Sequence, residues 1–135
     1  MFILDTNVVS ELRRPRPHGA VVAWVSSLEP AHLNVAGVTV GEIQSGVGRT
    51  REQDPAKAAE IEGWFLDMMR WVTVLPMTSE TFRIWAKYMH RKHARVSGDA
   101  MIAATAAEHG LTVATRHIGD FEQFPVPLLN PFDLR

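Results

Sequence analysis

Short apolar, β-rich runs alternate with helix-patterned stretches from one end of this chain to the other, and that alternation constrains the fold most. The runs occupy residues 2–4, 32–38, 71–75, 111–115 and 127–130. The first, Phe2-Ile3-Leu4, is apolar throughout and reads as a strand buried on both faces. Prolines flank the last, which suits an edge strand. Strands that regularly alternate with helices predict an α/β fold: a central parallel sheet of four to five strands with helices on both faces.

Local signals set the helices. One is expected over 6–12, ending before Arg13-Arg14-Pro15-Arg16-Pro17, where two prolines bar continuation. A second is expected over 19–28. Thr39-Val40-Gly41-Glu42 has the capping-box pattern, which predicts a helix with Thr39 at its N-cap and Glu42 in its first turn. Asp54-Pro55 marks another start. Thr78 is expected to cap a helix that turns Phe82, Trp85, Ala86 and Met89 inward. Ser97 is expected to cap an Ala-rich helix over 99–109, with Gly110 as its C′ residue.

With 135 residues the chain suits a single domain over 1–135. Hydrophobic content of 46% and charged content of 21% are those of a globular protein. The absence of cysteine excludes disulfides and thiolate metal sites. Strand-like sequence follows Met1 at once, so no signal peptide is expected. No apolar run approaches the ~18 residues of a membrane span, and a cytoplasmic protein is expected.

Four acids fall at corresponding places in this pattern. Asp5 ends the first strand, Glu42 opens the helix after the second, Asp99 opens the Ala-rich helix, and Asp120 follows the fourth strand. In a doubly wound sheet the strand C-termini and the following helix N-termini share one edge. Each acid taken singly has a plain structural reading as a cap, a capping-box partner, a dipole partner or a turn residue. Their common placement is what those readings leave unexplained. Carboxylates that converge without basic partners need a cation between them, and all-oxygen ligands suit Mg²⁺ or Mn²⁺. Such an ion keeps waters and can activate one against a phosphodiester.

The segment from Met1 to Leu12, with its core Leu4-Asp5-Thr6-Asn7, resembles the opening of PIN-domain proteins, particularly VapC-type and FitB-like toxins. Val38-Thr39-Val40-Gly41-Glu42-Ile43, Asp99-Ala100-Met101-Ile102-Ala103 and Thr115-Arg116-His117-Ile118-Gly119-Asp120-Phe121 resemble the three motifs that follow, in family order. The resemblance implies an α/β/α sandwich and a Mg²⁺- or Mn²⁺-dependent ribonuclease. It implies that Asp5, Glu42, Asp99 and Asp120 form the acidic metal cluster. Thr6 and Asn7 would support Asp5, and Thr115 would bond a carboxylate or a metal water. His117 departs from the Asn usual at its position. The resemblance also implies a homodimer, a small cognate antitoxin that covers the acidic pocket, and operator DNA bound through that antitoxin.

Net charge is −1, but its distribution is uneven. No acid lies between Glu80 and Asp99, while Arg83, Lys87, Arg91, Lys92 and Arg95 all do. Arg83, Lys87 and Arg91 recur every four residues and would make one helical stripe, a candidate RNA-backbone surface beside a negative pocket. Arg116 is a further candidate, and Arg13, Arg14 and Arg16 are a second group. Two other phosphate chemistries fit less well. A haloacid-dehalogenase-type phosphatase needs a second Asp where this chain has Asn7, and a receiver domain needs an acid where the third strand ends in Leu75-Pro76. The alternative outside enzymology is a catalytically weak PIN domain that only binds RNA or protein.

Overall fold

The computed structural model describes residues 1–90 and 97–134. Arg91, Lys92, His93, Arg95 and the capping role expected of the Ser97 side chain lie outside what it describes. The elements run β1 (Phe2–Leu4), α1 (Thr6–Arg13), α2 (Gly19–Ser26), β2 (Leu33–Ala36), α3 (Gly37–Gln53), α4 (Pro55–Met68), β3 (Thr73–Leu75), α5 (Ser79–His90), α6 (Ser97–His109), β4 (Thr112–Ala114), α7 (Ile118–Phe121) and β5 (Leu128–Leu129). A turn of 3₁₀ helix, Pro30–His32, leads into β2.

All the strand pairings are parallel, in the order β3-β2-β1-β4-β5. From the central β1 the chain steps outward through β2 to β3, then returns to the other side of β1 for β4 and β5. Strand order therefore reverses between β1 and β4, where an open α/β sheet has its ligand crevice. As expected, β5 is an edge strand.

Side-chain alternation along β1 sorts the core into two layers. Leu4 joins Val8, Val9, Val21, Leu33, Val35, Phe65 and Met68 on one face. Ile3 joins Ala100, Ile102, Ala103, Ala106, Val113, Phe121 and Phe124 on the other. The small side chains of α6 let that helix lie close to the sheet, which holds its N-terminal Asp99 near the strand ends.

Several caps form as the sequence predicts. Asp54 Oδ1 accepts from the Lys57 N–H at 3.1 Å, and Thr78 Oγ1 accepts from the Thr81 N–H at 3.4 Å. Gly110 closes α6 with φ +66°, and the Leu111 N–H reaches back to the Ala106 carbonyl at 2.9 Å. A Cβ at Gly110 would meet nothing within 4 Å. Gly110→Ala is therefore expected to cost only the left-handed backbone penalty, about 1–2 kcal/mol by chemical denaturation.

Two expectations are corrected. Thr39 is not an N-cap: α3 begins at Gly37 behind Ala36, and Thr39 is fully buried inside it. Glu42 thus sits in the second turn of α3. Phe82 does not turn inward but is 43% exposed, and Ala86 is exposed as well. Helix α5 is rotated so that Thr81 is buried instead, hydrogen-bonded to Glu108 of α6.

Candidate active site

Asp5 leaves β1 and becomes the N-cap of α1: its own backbone is still extended (φ −65°, ψ 152°), and the helix begins at Thr6. Its carboxylate is buried and accepts three hydrogen bonds from neutral donors. The Thr6 N–H reaches Oδ1 at 2.7 Å, while Asn7 Nδ2 at 2.7 Å and Thr115 Oγ1 at 2.8 Å reach Oδ2. Thr115 follows β4, so this buried bond spans the point where strand order reverses. Burial pushes the Asp5 carboxyl above its ordinary range; the Thr115 and Thr6 bonds oppose that, and the Glu42 charge adds to it.

Glu42 approaches from α3. Thr6 Oγ1 lies 2.9 Å from Glu42 Oε1 and 3.1 Å from Thr39 Oγ1. A carboxylate can only accept, so the single Thr6 hydroxyl proton goes to Glu42. The first turn of α6 comes close as well: a Cβ at Gly98 would stand 3.6 Å from Glu42 Oε2. Next to Gly98, Asp99 is half-buried and its carboxyl is pushed up to about 6. Burial is the main cause, followed by the charges of Asp5, Asp120 and Glu42, with His117 opposing. One carboxyl that feels three others is the electrostatic signature of a shared site.

Asp120 lies on α7 rather than in an open loop, exposed, with Oδ2 4.0 Å from His117 Nδ1. The turn before it is tied inward. The His117 N–H donates to Thr115 Oγ1 at 2.9 Å, and His117 Nδ1 is 3.2 Å from Asn7 Nδ2.

Asp5 and Asp99 face one open cleft of about 550 Å³, whose wall also includes Asn7, Glu11, Arg14 and Arg116. Glu42 faces the adjoining depression beside Arg13 and Arg49. Among the described residues, no three His, Asp or Glu side chains form a ready-made ion cage. The donors nonetheless suit a hard divalent cation: they are oxygens only, they repel one another, and such an ion completes its shell with water. A groove of about 590 Å³ against Lys87, Tyr88 and Phe124 has none of the four acids in its wall.

Of the basic candidates, Arg13, Arg14 and Arg116 line the acidic cleft. Arg83 pairs with Glu80 at 3.3 Å and Lys87 lines the other groove. Glu11 and Phe132, both in the cleft wall, were not singled out from the sequence. A Glu three residues before an Arg on a short helix is the one signal that pointed to Glu11.

A parallel α/β sheet with an acid-lined crevice at its reversal point defines a class of ligand-binding fold, and sequence comparison narrows it. The PIN-domain family description matches residues 2–124, and the chain belongs to the PIN-domain family. It is 35% identical over 140 residues to Toxin FitB of Neisseria gonorrhoeae, covering 98% of this chain and 99% of that protein. It is 34% identical over 146 residues to VapC ribonuclease Y4jK of Sinorhizobium fredii, again covering 98% and 99%. The crystal structure of FitAcB from Neisseria gonorrhoeae superposes with a TM-score of 0.84 at 34% identity, over 99% of this chain and 100% of that one.

Proposed function

We propose that this chain is a Mg²⁺- or Mn²⁺-dependent endoribonuclease and the toxin of a toxin–antitoxin pair. The observation that carries the reading is the buried Asp5 carboxylate, held only by neutral donors and facing Asp99 across one cleft. Its likeness to a protein named as a toxin and to one named as a VapC ribonuclease supports it. So does the likeness, at 34% identity, to a FitAB complex bound to a DNA fragment. Asp5 and Asp99 would hold the ion directly, with Glu42 and Asp120 completing the shell through water. When bound, the ion would stabilise charge on the scissile phosphodiester and supply an activated water.

The chain's own residues do the positioning. Thr115, Asn7 and the Thr6 N–H lock the Asp5 rotamer, so the ligand need not be ordered when the ion arrives. The Thr6 hydroxyl aims the Glu42 carboxylate. A cognate antitoxin would cover this cleft, and operator DNA would be bound through that antitoxin. A homodimer of this chain completes the assembly. No helix among the described residues is long and apolar enough to cross a membrane.

The test is cleavage of a total-RNA substrate by the purified chain. Product is expected with Mg²⁺ or Mn²⁺ and none with excess EDTA. Thermal melting should report the ion independently: at a hundred times its Kd, Mg²⁺ adds about 2.7 kcal/mol to stability. Cleavage that persists in EDTA would overturn the metal reading. RNA binding with no cleavage under any ion would favour the binding-module alternative.

A further inference from the structure

Glu11 is a carboxylate only 8% exposed, on α1 and one turn beyond Asn7. Its Oε2 accepts from the His18 N–H at 3.0 Å and its Oε1 from Arg14 Nη1 at 3.3 Å. Burial alone would push its carboxyl up. The His18 and Arg14 bonds, with the charges of Arg14 and Arg116, outweigh that and hold it below its ordinary range. Glu11 thus ties down the basic loop after α1, and it shares its cleft wall with Arg116 of the turn after β4. The Arg116 guanidinium lies 4.4 Å from the centre of the Phe132 ring, and the His18 ring meets that same ring at 5.3 Å. The Arg116 N–H donates to Asn7 Oδ1 at 3.4 Å, and Asn7 in turn donates to Asp5. Arg116 is therefore registered to the acidic end of the cleft through a single side chain.

A guanidinium stacked on a ring keeps its edge N–H groups for a forked contact with an anion. Arg14 gives one of its five N–H groups to Glu11 and is otherwise 63% exposed. We propose that Arg14 and Arg116, organised by Glu11 and Phe132, form the surface that grips the RNA backbone beside the acids, with Glu11 as a positioning residue. This rests on the ribonuclease reading above and favours, over the α5 stripe, the cleft that Asp5 itself lines.

Charge makes the test sharp. Neutralising an acid inside an anion-binding cleft should tighten RNA binding by Coulomb's law. If Glu11 organises the arginines, Glu11→Gln should weaken it instead. The probe is a fluorescein-labelled single-stranded RNA of mixed sequence, titrated by anisotropy against the inactive Asp99→Asn protein in Mg²⁺ across a range of KCl. Arg14→Ala and Arg116→Ala are each expected to weaken binding about three- to tenfold and to lower the salt slope by about 0.7. Arg116→Lys, which keeps the charge and loses the stacked fork, should recover the slope but not the affinity. Arg70→Ala, on an exposed helix end, should change nothing. In the active protein Arg116→Ala should raise KM and leave kcat within about twofold. Tighter binding by Glu11→Gln overturns the positioning role. Parental affinity in both arginine variants, with loss in Arg83→Ala/Lys87→Ala, overturns the whole proposal. Because Arg14 and Arg116 are exposed, their variants decide the question even if Glu11→Gln folds poorly. RNA binding with the expected slopes but no cleavage by the parent chain would fail the nuclease reading and leave this one standing.

Discussion

Asp99→Asn is expected to lower RNA cleavage about a hundred- to ten-thousandfold while raising the melting temperature of the metal-free protein. The loss follows from removing a ligand whose ion contributes several kcal/mol to the transition state, at 1.36 kcal/mol per tenfold. The gain follows from the Asp99 carboxyl being pushed up to about 6. An acid whose folded pKa exceeds its unfolded value of about 4 opposes folding once ionised. The stability tied to its protonated form is present below the unfolded value and is lost as pH rises through about 6. In EDTA the wild-type melting temperature should therefore fall, relative to Asp99→Asn, between pH 4 and pH 7. The ion should reverse the order, since Mg²⁺ stabilises the wild type and leaves the variant little changed. A residue that only caps α6 would give the opposite sign, with activity and metal-free stability falling together. Melting curves at pH 5 and pH 7, with and without Mg²⁺, separate the two.

Phe121→Ala is expected to cost about 3–5 kcal/mol. Phe121 is fully buried, with its ring 6.2 Å from that of Phe124, which lies 5.2 Å from Tyr88. It is also the anchor of α7, a helix of four residues that carries Asp120. So short a helix has no stability of its own and takes its position from what it packs on. Urea unfolding should show a lower midpoint with an unchanged slope. Gly119→Ala, one helix position after Ile118 and with nothing within 4 Å of its new Cβ, should fall within about 0.5 kcal/mol of wild type. An equal loss at both positions would mean that α7 tolerates no change, rather than that Phe121 holds it.

The features legible from sequence are those set by neighbours along the chain. Asp54-Pro55 starts α4, Gly110 ends α6, and prolines leave β5 at the sheet edge, because each rests on local backbone geometry. The capping box at Thr39 shows where such reasoning stops. Four residues matched the pattern, yet the Thr39 hydroxyl is used 33 positions away, against Thr6. A tertiary hydrogen bond in a buried place outweighed a local one at a solvent-exposed helix end. Phe82 fails for a related reason: helical periodicity gives a face, and the bond from Thr81 to Glu108 decided its rotation.

The acids divide in the same way. That Asp5, Glu42 and Asp99 stand at one edge of the sheet was fixed by the sequence of strands and helices, since parallel connections leave no other arrangement. Which of them share a cleft was decided by tertiary structure alone. The bond from Thr115 to Asp5 crosses 110 positions, and Arg116 reaches Asn7 and Phe132 from a turn that the sequence places beside neither. Charge periodicity favoured α5 as the cationic surface; contacts made only when β4 lies against β1 put Arg116 at the acids instead. Periodicity is a property of adjacent residues, whereas a site is a property of the surfaces that folding brings together.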